Sequence, residues 1–386
     1  MSDDFSPEKF CGIEEYGTSF PGLGGRIKTN PEDFVVQEVP MNLPEGGPYL
    51  FCKLKKRNMT TYNAIEKLSS ILGISKRRIG YAGLKDKRAC TTQFITIEGI
   101  ESESVDVDTD CLKVRPLKSV SKPLKPGDLK KNHFNVVLRS VDLDMENCSK
   151  KIRELFDEIK EGVPNYFGLQ RFGGERPVTH IVGRNILKRN FGEAVREYLT
   201  RTFNANDEIS QFRQRLRKEG DYKDALDYFP KHLVYERSLL EKVVEVGPCS
   251  EEDWLSVLRC LPKDLLRLFV HSYQSYVFNK AVSGVLRSSE TKENFPGKIP
   301  GYRTELDSSE FDTTLGEVLE SDGLETKDFK FDELKGLSSS GSLRAVLITP
   351  DLSLNGIEDG ESPDLEIEFS LKPGRYATVV LREIVK

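Results

Sequence analysis

Strand-forming sequence stands at both ends of this chain and helix-forming sequence fills its middle, and that order limits the folds available. In the first third, residues 34–38 (Phe-Val-Val-Gln-Glu) and 49–54 read as strands, followed by 91–97, 112–114 and 133–138. In the last segment, residues 364–370 alternate, with Leu365, Ile367 and Phe369 on one side, and the Val-rich run 376–383 reads as a further strand. Residues 175–285 instead predict helices over 184–191, 192–200, 209–219, 251–259 and 262–287. The last of these carries Leu265, Leu268, Phe269, Tyr273 and Tyr276 at helical spacing. An isolated pair of strands is marginal in water, so the distal strands are expected to rejoin the N-terminal sheet. The expected class is α+β, with a largely helical region inserted into a sheet domain.

Two helices belong to the first half. Residues 63–72 place Ile65, Leu68, Ile71 and Leu72 on one face, with Thr60 or Thr61 to cap the start and Gly73 to end it. Residues 145–161 turn Ile152, Leu155, Phe156 and Ile159 inward. Prolines at 116, 123 and 126 argue against a helix and predict an extended basic loop over 116–131. Residues 288–345 are polar, Gly/Ser-rich and acidic, and predict loops and short strands.

At 386 residues the chain is long enough for two domains. No apolar run approaches the roughly 20 residues of a membrane span. The start, Met1-Ser-Asp-Asp-Phe5, lacks a basic and then apolar leader, and none of the seven cysteines is in C-x-x-C spacing. Together these features predict reduced thiols in a cytoplasmic protein and no zinc site. The histidines at 133, 180, 232 and 271 are isolated, so no metal set is expected. The formal net charge is −5, but phosphate binding needs local rather than total positive charge. Residues 113–131 hold seven Lys or Arg against one acid, Asp128. Lys53, Lys55, Lys56 and Arg57 form a second cluster, whereas 305–333 is strongly acidic. Nucleic-acid contact by the basic half and an ordinary solvated surface both account for this asymmetry.

One carboxylate stands out. Asp86 is flanked by Lys85, Lys87 and Arg88 and is followed by the β-type run 91–97. That order places it on a loop feeding a strand, where a rigid sheet can aim a side chain. A solvated charged turn is the plain alternative. A second segment, Val163-Pro-Asn-Tyr-Phe-Gly-Leu-Gln-Arg-Phe-Gly-Gly174, mixes aromatics, glycines, Asn, Gln and Arg. Aromatics stack on bases and amides read base edges; a buried turn has the same composition. Phe34, on a strand, reads equally as core.

Four segments in order along the chain resemble the TruD family of pseudouridine synthases, enzymes that act on uridine 13 of tRNA. They are Lys28-Thr-Asn-Pro-Glu-Asp-Phe-Val-Val-Gln-Glu38, Gly83-Leu-Lys-Asp-Lys-Arg-Ala-x-Thr-x-Gln93, Pro164-Asn-Tyr-Phe-Gly-Leu-Gln-Arg-Phe-Gly173 and Leu371-Lys-Pro-Gly-Arg-Tyr-Ala-Thr-Val-Val-Leu-Arg-Glu383. Residues 271–279 resemble it as well. The resemblance implies a pseudouridine-synthase core with a mixed, mostly antiparallel sheet, over residues 1–170 and 346–386. An inserted TRUD domain over 171–345 would form the other wall of the cleft. It implies Asp86 as the catalytic carboxylate and Lys28 near the catalytic pocket. It also implies substrate contacts by Phe34, Asn165, Phe167 and Tyr376, with Phe167 against the flipped base.

Pseudouridine formation detaches uracil from ribose, rotates it and rejoins it through C5, with no net oxidation, so no cofactor or metal is expected. The chain carries no GxxxxGK[ST] and no GxGxxG motif. Attack on C1′, proton removal from C2′ and addition to uracil C6 are all open to Asp86. Lys28, Lys85, Lys87 and Arg88 are the cations that could hold it ionised, with Lys28 favoured because neighbours in sequence need not face the same way. Lys85, Lys87, Arg88, Lys122, Lys125, Lys130 and Lys131 are the expected RNA contacts, tRNA is the expected partner, and a monomer is the default. Two other readings use the same residues. One is an RNA-binding protein without chemistry. The other is a nucleoside or glycosidic hydrolase, which needs a second carboxylate such as Glu38.

Overall fold

The computed structural model describes residues 5–386 except 143–144, 204–206, 289–292, 335 and 359–362, and the side chains of 145–149 and 358. The first four residues, part of the start read above for a leader, lie outside the described set. The chain divides into two compact units. The sheet unit comprises residues 17–163 and 349–386, and the helical unit residues 1–16 and 164–348.

In the sheet unit, β1 (Phe34–Pro40), β2 (Glu45–Arg57), β3 (Ile79–Tyr81), β4 (Cys90–Glu98), β5 (Val107–Asp108), β6 (Leu112–Val120) and β7 (Leu129–Leu138) join the strands Asp351–Glu358 and Asp364–Leu371. The sheet order is Asp351–Glu358, Asp364–Leu371, β7, β1, β4, β2, β6, β5, with β3 on β4. Among the described residues of this sheet, β1 with β4 is the one parallel pairing and the others are antiparallel. The mixed, mostly antiparallel sheet is thus present, and the distal strand joins it beside β7. Alternation decides the register. Leu365, Ile367, Phe369 and Leu371 are buried in turn, and Phe369 stacks on Phe134 at 5.0 Å. A one-residue slip would turn that whole apolar row outward.

The helix Thr61–Leu72 covers β2 and β4. Thr60 accepts a hydrogen bond from the Asn63 N–H, and Gly73 takes φ 65° at the C-terminal end. Ala64, Ile65 and Leu68 pack against Leu50, Cys52, Leu54, Ile95 and Ile97. The expected helix appears as Met145–Glu161, with Ile152, Leu155, Phe156 and Ile159 buried.

Two expectations in this unit fail. The segment expected as a strand over 376–383 is the helix Ala377–Val385. Ala377, Val380, Leu381 and Ile384 recur at helical spacing and are buried, and this periodicity outweighs the β preference of the two valines. The Glu383 carboxylate, fully buried, accepts hydrogen bonds from the Gly17 and Thr18 N–H groups and the Thr18 hydroxyl. The extended loop expected from residue 116 begins later, because β6 runs to Val120. Its pairing with β2 is irregular opposite Pro116, and the two-residue β5 leaves this part of β6 at the sheet edge, where a missing N–H costs little.

In the helical unit, Lys263–Ser288 is the central helix, with Phe269, Val270, Tyr273, Val277, Phe278 and Ala281 buried. Thr179–Leu187 crosses it at Gly183, where any Cβ would lie 2.0 Å from the Phe269 carbonyl oxygen. Phe191–Thr200, Glu208–Glu219 and Glu251–Leu258 fall close to expectation. The helix Glu310–Ser321 was not expected in the polar 288–345 region. Ser309 caps it, and Phe311, Leu315, Val318 and Leu319 form a narrow buried stripe within acidic sequence. The strands Pro296–Ile299 and Ser342–Ala345 pair with each other.

The unit boundaries differ from 170/171 and 345/346. Residues 1–16 belong with the helices: the Asn279 amide donates to the Cys11 carbonyl, Ser283 donates to that of Gly12, and Phe10 packs on His180. Residues 164–170 do as well, since the Asn165 N–H donates to the Val346 carbonyl and the Phe167 N–H to Asn279 Oδ1.

Candidate active site

Asp86 lies on the bend that joins β3 to β4. Lys28 faces it, with Nζ 3.4 Å from Asp86 Oδ1, and the two side chains keep 19% and 25% of their exposure. The same ammonium stands over the Phe34 ring, 4.0 Å from its centroid. Phe34 itself is fully buried against Phe134. The structure therefore places Phe34 in the core as a platform for Lys28. Lys28 is held at φ 56°, a left-handed conformation that costs a non-glycine residue roughly 1–2 kcal/mol. Its neighbours restrain it. Arg88 donates to the Thr29 carbonyl at 2.8 Å, the Asn30 N–H donates to Asp33 Oδ2, and Arg139 ties Asp33 to Asp364.

The bend carrying Asp86 is anchored through its own backbone. The Lys85 N–H donates to Thr61 Oγ1 at 2.9 Å. The Thr61 hydroxyl donates to Gln93 Oε1, and the Gln93 amide returns to the Gly83 carbonyl. Lys56, buried at 3% exposure, donates to the carbonyls of Met59 and Asp86 at 2.6 and 2.7 Å. These contacts explain why Gln93 belongs to the motif: its fully buried amide ties Gly83, and through Thr61 also Lys85, to one helix start. Lys56 and Thr61 were not singled out from the sequence.

Lys85 is a correction. Its ammonium is not offered to solvent but reaches Glu38 Oε2 at 2.5 Å, with side-chain exposures of 6% and 1%. Glu38 Oε1 also accepts the Phe94 N–H. Glu38 is thereby occupied by a cation, which does not favour it as the second carboxylate of a hydrolase.

Arg88 and five of the lysines among the other expected RNA contacts reach solvent. Lys87, Lys122, Lys125, Lys130 and Lys131 are exposed, and among the described residues no acid forms an ion pair with any of them. Lys113, Arg115 and Lys118 are instead neutralised by Asp108, Asp106 and Glu45. The basic segment is drawn to the Asp86 bend. The Gly127 N–H donates to the Ala82 carbonyl at 2.8 Å and the Leu124 N–H to Thr96 Oγ1. Gly80 permits this approach, since a Cβ there would meet the Leu124 carbonyl oxygen at 2.6 Å. Tyr376, half-buried, is also in the sheet unit and precedes the C-terminal helix.

Asn165 and Phe167 belong to the helical unit. The Asn165 amide donates to the Ala345 carbonyl at 2.7 Å, and its Oδ1 accepts from Arg344 at 2.6 Å. The Arg344 guanidinium covers the Phe167 ring at 4.1 Å, and Phe278 meets that ring edge-on. Arg344 had no signal in the sequence, since it lies in a polar stretch about 180 residues from its partners.

The chain matches the family model "TruD: tRNA pseudouridine synthase D" over residues 10–299 and 285–384. It is 34% identical to the Methanococcoides burtonii protein named "Probable tRNA pseudouridine synthase D", over 98% of this chain and 97% of that one. It is 36% identical to the Archaeoglobus fulgidus protein of the same name, over 98% and 99%. A crystal structure from Methanosarcina mazei, described as the "Putative tRNA pseudouridine synthase D (TruD)", superposes with a TM-score of 0.80 at 31% identity, over 99% of this chain and 98% of that one. With a family match along nearly its whole length and the fold shared, the chain belongs to the TruD family of tRNA pseudouridine synthases, isomerases that convert uridine to pseudouridine in tRNA.

Proposed function

We propose that the chain isomerises uridine 13 of tRNA, with Asp86 as the catalytic carboxylate acting on a base turned out of the RNA. The observation that carries this reading is the Lys28–Asp86 pair on a bend whose backbone is anchored from Thr61, Gln93 and Lys56. Isomerisation breaks the C1′–N1 bond and forms C1′–C5. The C5 hydrogen leaves as a proton, and N1 gains one. Attack on C1′, abstraction from C2′ and addition to C6 all begin with an ionised carboxylate at the ribose–base junction. A preorganised pair serves each of them, because it needs no rearrangement when charge develops. Lys87, Lys122, Lys125, Lys130 and Lys131 would hold phosphates, and Tyr376 would contact the substrate.

The test is tritium release from tRNA carrying 5-tritiated uridine. Release is expected with uridine at position 13 and should disappear when cytidine replaces it there. Undiminished release from the cytidine-13 tRNA would move the target elsewhere.

For Asn165 and Phe167 we propose substrate binding. Phe167→Leu keeps apolar bulk against Phe278 but removes the aromatic face, and stacking on a base is typically worth ~1–3 kcal/mol. The variant should raise KM for tRNA by about tenfold while costing roughly 1–2 kcal/mol of stability through the lost ring volume and the lost Arg344 contact. An unchanged KM and kcat would remove Phe167 from the substrate site.

A further inference from the structure

Lys56 sits where the pattern of β2 calls for an apolar residue. Cys52 and Leu54 precede it on the same face and are fully buried, and Lys56 keeps only 3% of its exposure. Its cross-strand neighbours are Thr91 and Leu112, both buried. A lysine there is costly unless something is gained. Its ammonium meets backbone carbonyls rather than a carboxylate: Met59 at 2.6 Å, Asp86 at 2.7 Å and Lys85 at 3.5 Å. Three N–H donors match three carbonyl acceptors. The carbonyls of residues 85 and 86 lie on a bend outside any strand and need donors from elsewhere.

We propose that Lys56 is a positioning residue for the reaction, clamping the Asp86 backbone so that its carboxylate meets the ribose–base junction in one orientation. The inference rests on the reading of Asp86 as the catalytic carboxylate. Misplacement of a reacting group by about 1 Å can cost on the order of 10²-fold in rate. Binding of the tRNA would be untouched, since Lys56 is enclosed. The clamp also predicts a pH dependence. Burial pushes the Lys56 ammonium down to about 8. The Asp86 and Cys90 charges work against that shift and Lys85 adds to it. Above that pH the neutral amine keeps two donors for three carbonyls, so the rate should fall as pH rises through about 8.

The experiment is single-turnover pseudouridine formation by the full-length protein, with Lys56→Met, Lys56→Arg and Asp86→Asn beside the wild type, and tRNA affinity measured separately. Lys56→Met is expected to lose about 30- to 100-fold in rate with Kd for tRNA within about twofold. Lys56→Arg, a donor that stays charged, should recover at least about tenfold of this and lose the alkaline fall. Lys56→Met within twofold of wild type, or an alkaline fall unchanged in Lys56→Arg, overturns the proposal. If neither Lys56 variant folds, the wild-type profile decides: a fall centred near pH 8 supports the clamp and a flat profile to pH 9.5 overturns it. The two readings separate through Asp86→Asn. An active Asp86→Asn removes the catalytic assignment itself, whereas an inactive one beside an unaffected Lys56→Met defeats the clamp alone.

Discussion

Asp86→Asn should abolish pseudouridine formation, with a loss of at least about 10³-fold in single-turnover rate. Losses of that size or larger follow removal of a group that acts covalently or as the essential base. Asparagine keeps the shape of the side chain, and the backbone contacts of residue 86 run through its carbonyl to Lys56, which the substitution leaves in place. The Lys28 ammonium loses its ion pair but keeps the Phe34 face. Because that pair retains partial solvent access, its removal should change stability by no more than about 1 kcal/mol. The expected combination is a folded protein that binds tRNA with near wild-type affinity and releases no tritium from 5-tritiated uridine. Tritium release by the variant within tenfold of wild type would place the catalytic carboxylate elsewhere. Free uracil in place of retained base would point to hydrolysis.

The largest stability effect is expected from Lys85→Met. It removes the cation from a pair in which both side chains are almost wholly enclosed. The Glu38 carboxylate would remain buried, with the Phe94 N–H donating to it. Breaking a buried pair from one side typically costs about 3–5 kcal/mol, because an uncompensated charge is left behind. Urea denaturation should therefore show a large fall in the midpoint of the sheet unit. Adding Glu38→Leu to Lys85→Met should restore at least half of the loss, because neither charge then remains in the interior. A Lys85→Met variant within about 1 kcal/mol of wild type would mean that water reaches Glu38 and that the pair contributes little. Lys85 precedes Asp86 directly, so a rate loss should accompany the stability loss.

Much of this protein is legible in its sequence wherever local periodicity and burial agree. Leu365, Ile367 and Phe369 alternate and form a strand, and the helix Thr61–Leu72 carries both its cap and its terminating glycine. Asp86 and Lys28 could be named because their segments resemble a family, and the fold brings them within 3.4 Å across 58 residues of chain. Where local signals conflict, the sequence misleads. Val379 and Val380 favour a strand, but the buried face of Ala377–Val385 is helical and among the described residues no strand partners it. The acidic composition around Glu310–Ser321 hides an apolar stripe only four residues wide.

Lys53, Lys55, Lys56, Arg57 and Lys85 all read as surface charge, and composition cannot sort them. The sequence determined that strands at both ends would close one sheet around a helical insertion, and that Asp86 would stand on a bend beside cations. Tertiary structure decided which cations those are. The two-residue repeat of β2 turns Lys56 inward beside Leu54 while Lys55 and Arg57 face solvent, and the pairing of β1 with β4 brings Glu38 under Lys85. A lysine's role depends on which acceptor lies at the end of its side chain, and that acceptor is supplied by a distant strand.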